Sequence, residues 1–124
     1  MQYKKAPEIK KTIVQLINRL DMKHIKKNKI HCIRSFDAKT RAVARIWGMA
    51  KIFHEVVGIE PNYIIEVNAK RFDKMSDRDK IKTLIHELMH IPKTFSGALL
   101  SHRGRYHEIS DREVEKILKN FRNK

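Results

Sequence analysis

Ile81-Lys-Thr-Leu-Ile-His86-Glu87-Leu-Met-His90-Ile-Pro92 is the stretch from which the rest of the chain can be read. Ile81, Leu84, Ile85 and Leu88 recur at i, i+3, i+4 and i+7, the spacing of an apolar stripe along a helix. At about 100° per residue, His86 and His90 fall about 140–180° from the centre of that stripe. The helix is therefore expected to bury one flank and turn both histidines the other way. Residues four apart lie nearly above one another, so the two imidazoles can offer nitrogens to one metal ion. Glu87 stands beside them, badly placed to join the same coordination shell but able to reach a water bound to that ion.

Two ligands plus a base that takes a proton from the bound water is the pattern of zinc peptidases. The flanks support a helix. Ser76-Asp-Arg-Asp79 reads as its start, with a serine cap and two carboxylates at the positive end of the helix dipole. Pro92 cannot continue the helix and is expected to end it.

Working outward, Pro7 suits a first helical position, and Ile9, Ile13, Leu16, Ile17 and Leu20 keep the 3.6-residue period, which predicts an amphipathic helix over 7–20. Lys23 to Lys29 reads as a solvated connector. Ile30 to Phe36 is short and rich in strand formers, and Asp37 to Thr40 follows as a turn. Alternation over 42–47 predicts a strand, then a short helix over 49–57; Gly48 argues against one helix through both. His54 and Glu55 are expected at the surface. After a break at Gly58 to Asn62, Tyr63 to Val67 reads as a strand. It precedes the central helix and is the expected place for an extended substrate to add. Asn68 to Met75 is expected to be a loop with Phe72 and Met75 tucked beneath it. Ser110-x-x-Glu113 forms a capping box before Val114, Ile117, Leu118 and Phe121, which predicts a closing amphipathic helix.

A catalytic zinc takes three protein ligands and keeps one position for water. The metzincin spacing would put Gly at 93 and His at 96, where Lys93 and Ser96 stand, so that class is excluded. The candidates downstream are His102, after a loop broken by Pro92 and pivoting at Gly97, His107, beside Gly104, and Glu108 and Glu113. Spacing alone leaves the choice among them open, although Glu113 already has a capping role.

Tyr63-Ile-Ile-Glu-Val, Phe72-Asp, Leu84-Ile-His-Glu-Leu-Met-His-Ile-Pro92 and Phe95-Ser-Gly-Ala-Leu-Leu-Ser-His102 together resemble the metallopeptidases of archaea and their viruses, often labelled phage metallopeptidases. The resemblance runs from about Ile30 through the final helix and is strongest from Tyr63 to Tyr106. In such sequences a histidine closing a Phe-Ser-Gly-Gly-Leu-Arg-Pro-His-like stretch is the candidate third ligand, and the matching residue is His102. Ala98, Leu100 and Ser101 depart from that stretch but leave the histidine in place. The layout is more distantly similar to SprT-like zinc peptidases, some of which act on DNA-bound proteins, an analogy at the level of fold.

The chain of 124 residues, 41% hydrophobic and 34% charged, suits one globular domain spanning 1–124. No apolar run is long enough to cross a bilayer, and the first residues lack the apolar core of a signal peptide. Cys32 is the one cysteine, so no intrachain disulfide can form; a reducing, cytoplasmic setting and a small buried thiol are expected. Lys and Arg number 28 against 14 Asp and Glu, a net charge of +14 with the excess concentrated in residues 1–30. Such a surface would suit a polyanion, nucleic acid above all.

The expected architecture is a compact α+β zincin-like domain, a small, mostly antiparallel sheet packed against the active-site helix and the N- and C-terminal helices. Its expected chemistry is hydrolysis of polypeptides with one Zn2+ held by His86, His90 and His102 and with Glu87 as general base. Arg105, Tyr106 or His107 are the expected oxyanion donors. The alternatives are a basic nucleic-acid-associated metal-binding protein or a metal-dependent nuclease. A structural zinc site is disfavoured because it would want several cysteines.

Overall fold

The structure, a computed structural model, describes residues 2–102 and 109–122. Four strands form one mixed sheet: β1 (Gln2–Lys5), β2 (Ile30–Phe36), β3 (Ala44–Trp47) and β4 (Tyr63–Asn68), in the order β1-β2-β4-β3. The two outer pairings are antiparallel and the central β2–β4 pairing is parallel, with Ile30 opposite Tyr63 and Cys32 opposite Ile65. The helices are α1 (Pro7–Arg19), a four-residue α2 (Ala69–Phe72), α3 (Asp77–Leu88) and α4 (Asp111–Arg122). The class is α+β, as expected.

One hydrophobic cluster joins these elements. Ile9, Ile13, Leu16 and Ile17 of α1 meet Ile30 and Cys32 of β2, Tyr63, Ile65 and Val67 of β4, and Leu84, Ile85 and Leu88 of α3. Val114 and Leu118 of α4 close it. Alternation along β4 sends Ile64 and Glu66 to the opposite face of the sheet. There Glu66, only 2% exposed, accepts hydrogen bonds from Trp47 Nε1 (2.9 Å) and Arg45 Nε (3.0 Å), and the Arg45 guanidinium lies over the Trp47 ring. Burial pushes the Glu66 carboxyl up, but donors from Trp47, Ser35 and Arg45 outweigh it and hold the group below its usual range. Cys32 is a buried thiol pushed up to about 11 by burial, which makes it an inert core residue rather than a nucleophile.

Three local expectations are corrected, and one strand was not foreseen. Gln2–Lys5 is a strand, β1, which has no apolar alternation because it is an exposed edge; its lysines suit an edge that must not recruit another strand. Asn68 to Met75 contains α2, whose Phe72 is buried as anticipated. The expected helix at 49–57 runs over 51–57 and is π-helical rather than α-helical from Phe53 to Val57, ended by Gly58 in the left-handed region. Finally, Tyr63–Asn68 lies between β2 and β3 with both of its sides paired, so it offers no edge for strand addition. Among the described residues the edges of the sheet are β1 and β3. No helix among the described residues is long and apolar enough to cross a membrane.

Candidate metal centre

The central helix begins as its sequence dictates: the Ser76 hydroxyl accepts from the Asp79 N–H at 3.2 Å. Its regular turns stop at Leu88, ahead of Pro92. A tighter turn then carries the chain on, with His90 N–H bonded to the Glu87 carbonyl and Ile91 N–H to that of Leu88. Met89 N–H still bonds Ile85, so His86 and His90 keep their one-turn relation.

Opposite the apolar stripe the helix meets protein instead of open water. His90 is 9% and Glu87 8% exposed. What covers His90 is the segment leading to His102. Leu100 N–H donates to the His90 carbonyl at 2.8 Å, and His90 Nδ1–H donates to the Leu100 carbonyl at 2.5 Å. The second bond selects the tautomer, placing the ring proton on Nδ1 and the lone pair on the Nε2 that faces His86. Two residues further on, His102 reaches the same spot. His86 Nε2 stands 3.2 Å from His102 Nε2 and 3.4 Å from His90 Nε2. The three residues thus form a group whose ligand atoms all lie within 4.8 Å of one another, able to hold a metal ion. Burial, then the charges of His90 and His102, lower the His86 pKa, which keeps its nitrogen unprotonated and available near neutral pH.

Three ties fix the segment that delivers His102. Tyr63, fully buried on β4, accepts from Gly97 N–H (2.9 Å) and donates to the Ala98 carbonyl (2.8 Å), and its ring meets Phe95 edge-on. Met49 N–H, just past β3, donates to the Gly97 carbonyl at 2.8 Å. Gly97 has φ +95°, and a Cβ there would sit 2.5 Å from the Met49 carbonyl oxygen. Gly48 approaches as closely from the other side, where a Cβ would lie 2.3 Å from the Gly97 oxygen. Two backbones touch here, and both glycines are required for it.

Two predictions arise from these ties. Tyr63→Phe should cost about 1–3 kcal/mol in denaturant unfolding, because the Gly97 N–H loses its partner in a dry site. A change below about 0.5 kcal/mol would mean the hydroxyl does not hold the segment. Gly97→Ala should cost at least as much through its backbone angle and the collision with Met49. A Gly97→Ala protein as stable as its parent would contradict this backbone contact.

Glu87 and His86 line one wall of a cleft of about 500 Å³, with Ala42, Val43 and Ala44 at the start of β3 and just before it, and Asp111 and Val114 from α4, on the other sides. α4 is fastened to α3 by Arg78–Glu115 (2.5 Å), Lys82–Glu115 (3.0 Å) and Lys82–Asp111. Burial alone raises the Glu87 carboxyl to about 7. A carboxyl poised there can both take and release a proton near neutral pH. Three clustered imidazoles, a poised carboxyl and a cleft beside β3 make a hydrolytic centre chemically feasible.

The model of the family described as putative phage metallopeptidase matches residues 1–121, almost the whole chain. The chain belongs to that family. No curated protein and no solved structure matches it. For this phage metallopeptidase family member, the family implies a metal ion and a polypeptide substrate. The nuclease and nucleic-acid-binding alternatives gain no support from it. Of the sites anticipated from sequence, His86, Glu87, His90 and His102 come together. Glu113 lies elsewhere, pairing with Lys116 at 3.4 Å while its N–H bonds the Ser110 cap. His107, Glu108 and the anticipated oxyanion donors Arg105 and Tyr106 lie outside the described residues. Tyr63 as the anchor of the ligand segment was not foreseen; its place in a strand marked it only as core.

Proposed function

We propose that this protein is a zinc-dependent peptidase in which His86, His90 and His102 hold the metal and Glu87 is the catalytic base. The observation that carries this reading is the spacing of the imidazole nitrogens. Ligand nitrogens about 2.0–2.1 Å from a tetrahedral zinc lie about 3.3 Å from one another. The separations of 3.2 and 3.4 Å around His86 match that figure. Three lone pairs so close repel one another unless protons or a cation lie among them, so the donor set fits the ion.

A bound metal would supply Lewis acidity, polarising a scissile carbonyl and acidifying the attacking water. The Glu87 carboxylate, which has no side-chain hydrogen bond among the described residues, accepts the proton of the attacking water and passes it to the leaving amine. The Leu100 carbonyl holds His90 in the required tautomer throughout. β3 takes over the role first expected of the neighbouring strand: it is paired on one side only, and Ala44 lines the cleft with Glu87. A substrate backbone in that position would be an added strand.

The test is metal analysis of the purified protein alongside casein digestion. One equivalent of zinc, with digestion lost to chelator and restored by added zinc, is the expected result. Stoichiometric zinc with no cleavage of any polypeptide would overturn the peptidase reading.

A further inference from the structure

A second cleft, of about 430 Å³, adjoins the first. Its walls are the 38–40 segment on one side and α2 with the turn after it on the other, and Val43 borders both clefts. Lys39, Lys70, Arg71 and Lys74 line it, all exposed, and no acidic residue does. None of the four makes an ion pair among the described residues, in a chain where Arg34, Arg45, Arg78 and Lys82 all do. Arg41 adds a fifth exposed cation on the same segment.

The floor is built rather than incidental. Asn68, at the end of β4, donates its backbone N–H to the Val43 carbonyl at 2.8 Å. Its side-chain amide reaches the carbonyls of Thr40 (3.4 Å) and Ala42 (3.5 Å). The edge that begins as β3 is thus extended back to the cationic segment. A chain laid along β3 would leave the histidine cleft directly over four unneutralised cations.

We propose that this cleft selects polypeptide substrates carrying a run of acidic residues on one side of the cleaved bond, a few positions away from it. This rests on the peptidase reading. The lining favours an acidic peptide over nucleic acid: the cations line a recess that Val43 joins to the histidine cleft, and no aromatic ring lines it on which a base could stack. Four exposed cations meeting acidic side chains at low ionic strength should tighten binding about tenfold.

The experiment uses full-length, zinc-loaded Glu87→Gln protein, in which turnover is suppressed, and fluorescence anisotropy. The probes are peptides with one apolar core and a tail of four Glu, four Gln or four Lys on either side, together with a single-stranded oligonucleotide. The expected result is that one Glu-tailed peptide binds at least tenfold more tightly than its Gln counterpart, with the gain shrinking in high salt. The combined Lys39→Glu, Lys70→Glu and Lys74→Glu changes should invert the order in favour of the Lys tail, a result that only a folded protein can give. Equal binding of Glu and Gln tails, or a preference that survives charge reversal, overturns the proposal. So does binding of the oligonucleotide that is lost on charge reversal while the peptides do not discriminate; nucleic acid would then be the ligand. Cleavage by the wild type without charge preference removes this proposal alone. Charge-selective binding without cleavage of any peptide removes the peptidase reading and leaves the acidic-peptide cleft standing.

Discussion

Stripped of metal at pH 8, Glu87→Gln protein is expected to be more stable than the wild type by roughly 3 kcal/mol, and close to it at pH 4.5. Burial holds the Glu87 carboxyl at about 7 in the folded protein, against 4.5 as its ordinary value. The folded state therefore binds this proton more tightly than the unfolded chain does. Stability from that difference is fully present below pH 4.5, falls as pH rises through the interval, and is gone above about 7. About 2.5 pH units at about 1.4 kcal/mol each set the size. Glutamine keeps the shape without the charge, so the gap between the two proteins should open with pH in urea titrations. A gap that stays constant from pH 4.5 to 8 would show that the burial of Glu87 has no such cost. In the metal-loaded protein the cation would favour the carboxylate, and the gap should narrow. The same variant should retain zinc yet lose proteolysis by about 10²–10⁴-fold, the usual loss of a general base. Such a stability cost, once measured, would support the catalytic role proposed for Glu87.

His102→Ala should lower zinc affinity by more than 100-fold, beyond the 10–100-fold typical of losing a residue that merely orients a ligand. The reason is geometric. His86 and His90 sit one turn apart on one element, and two imidazoles leave half of a tetrahedral shell to water. His102, 3.2 Å from His86, would close a third corner from another part of the chain. Competition with a chromophoric chelator measures the loss directly. His107→Ala and Glu108→Ala are the necessary comparisons, since both residues are open to the same role on sequence grounds. If His107→Ala abolishes binding and His102→Ala spares it, the ligand set proposed here is wrong.

These residues also mark how far a sequence carries. Ile30–Phe36 and Pro7–Arg19 were legible to within a residue, because period, cap and composition agree locally. The Ser76 cap and the burial of Leu84, Ile85 and Leu88 were legible for the same reason. His102 was not singled out by spacing, and needed family resemblance, because its position depends on residues that only folding brings together: Tyr63 with Gly97 and Ala98, Met49 with Gly97, His90 with Leu100. Strand order lay beyond local pattern too. Tyr63–Asn68 reads equally well as an edge or a centre, and only pairing with β2 and β3 decides. β1 escaped because an exposed edge strand needs no apolar alternation. The cationic cleft escaped because Lys39 and Lys70 are far apart along the chain.

The contact of Gly97 with Met49 and Tyr63 has a kinetic consequence. The segment carrying His102 cannot settle until β3 and β4 have paired, so the third histidine arrives after the sheet. A metal ion then has little to hold in the barrier state, and much to hold in the finished one. Zinc should leave the refolding limb of a chevron plot unchanged and slow only the unfolding limb. The ion would act as a latch on a completed structure rather than as a template for building it.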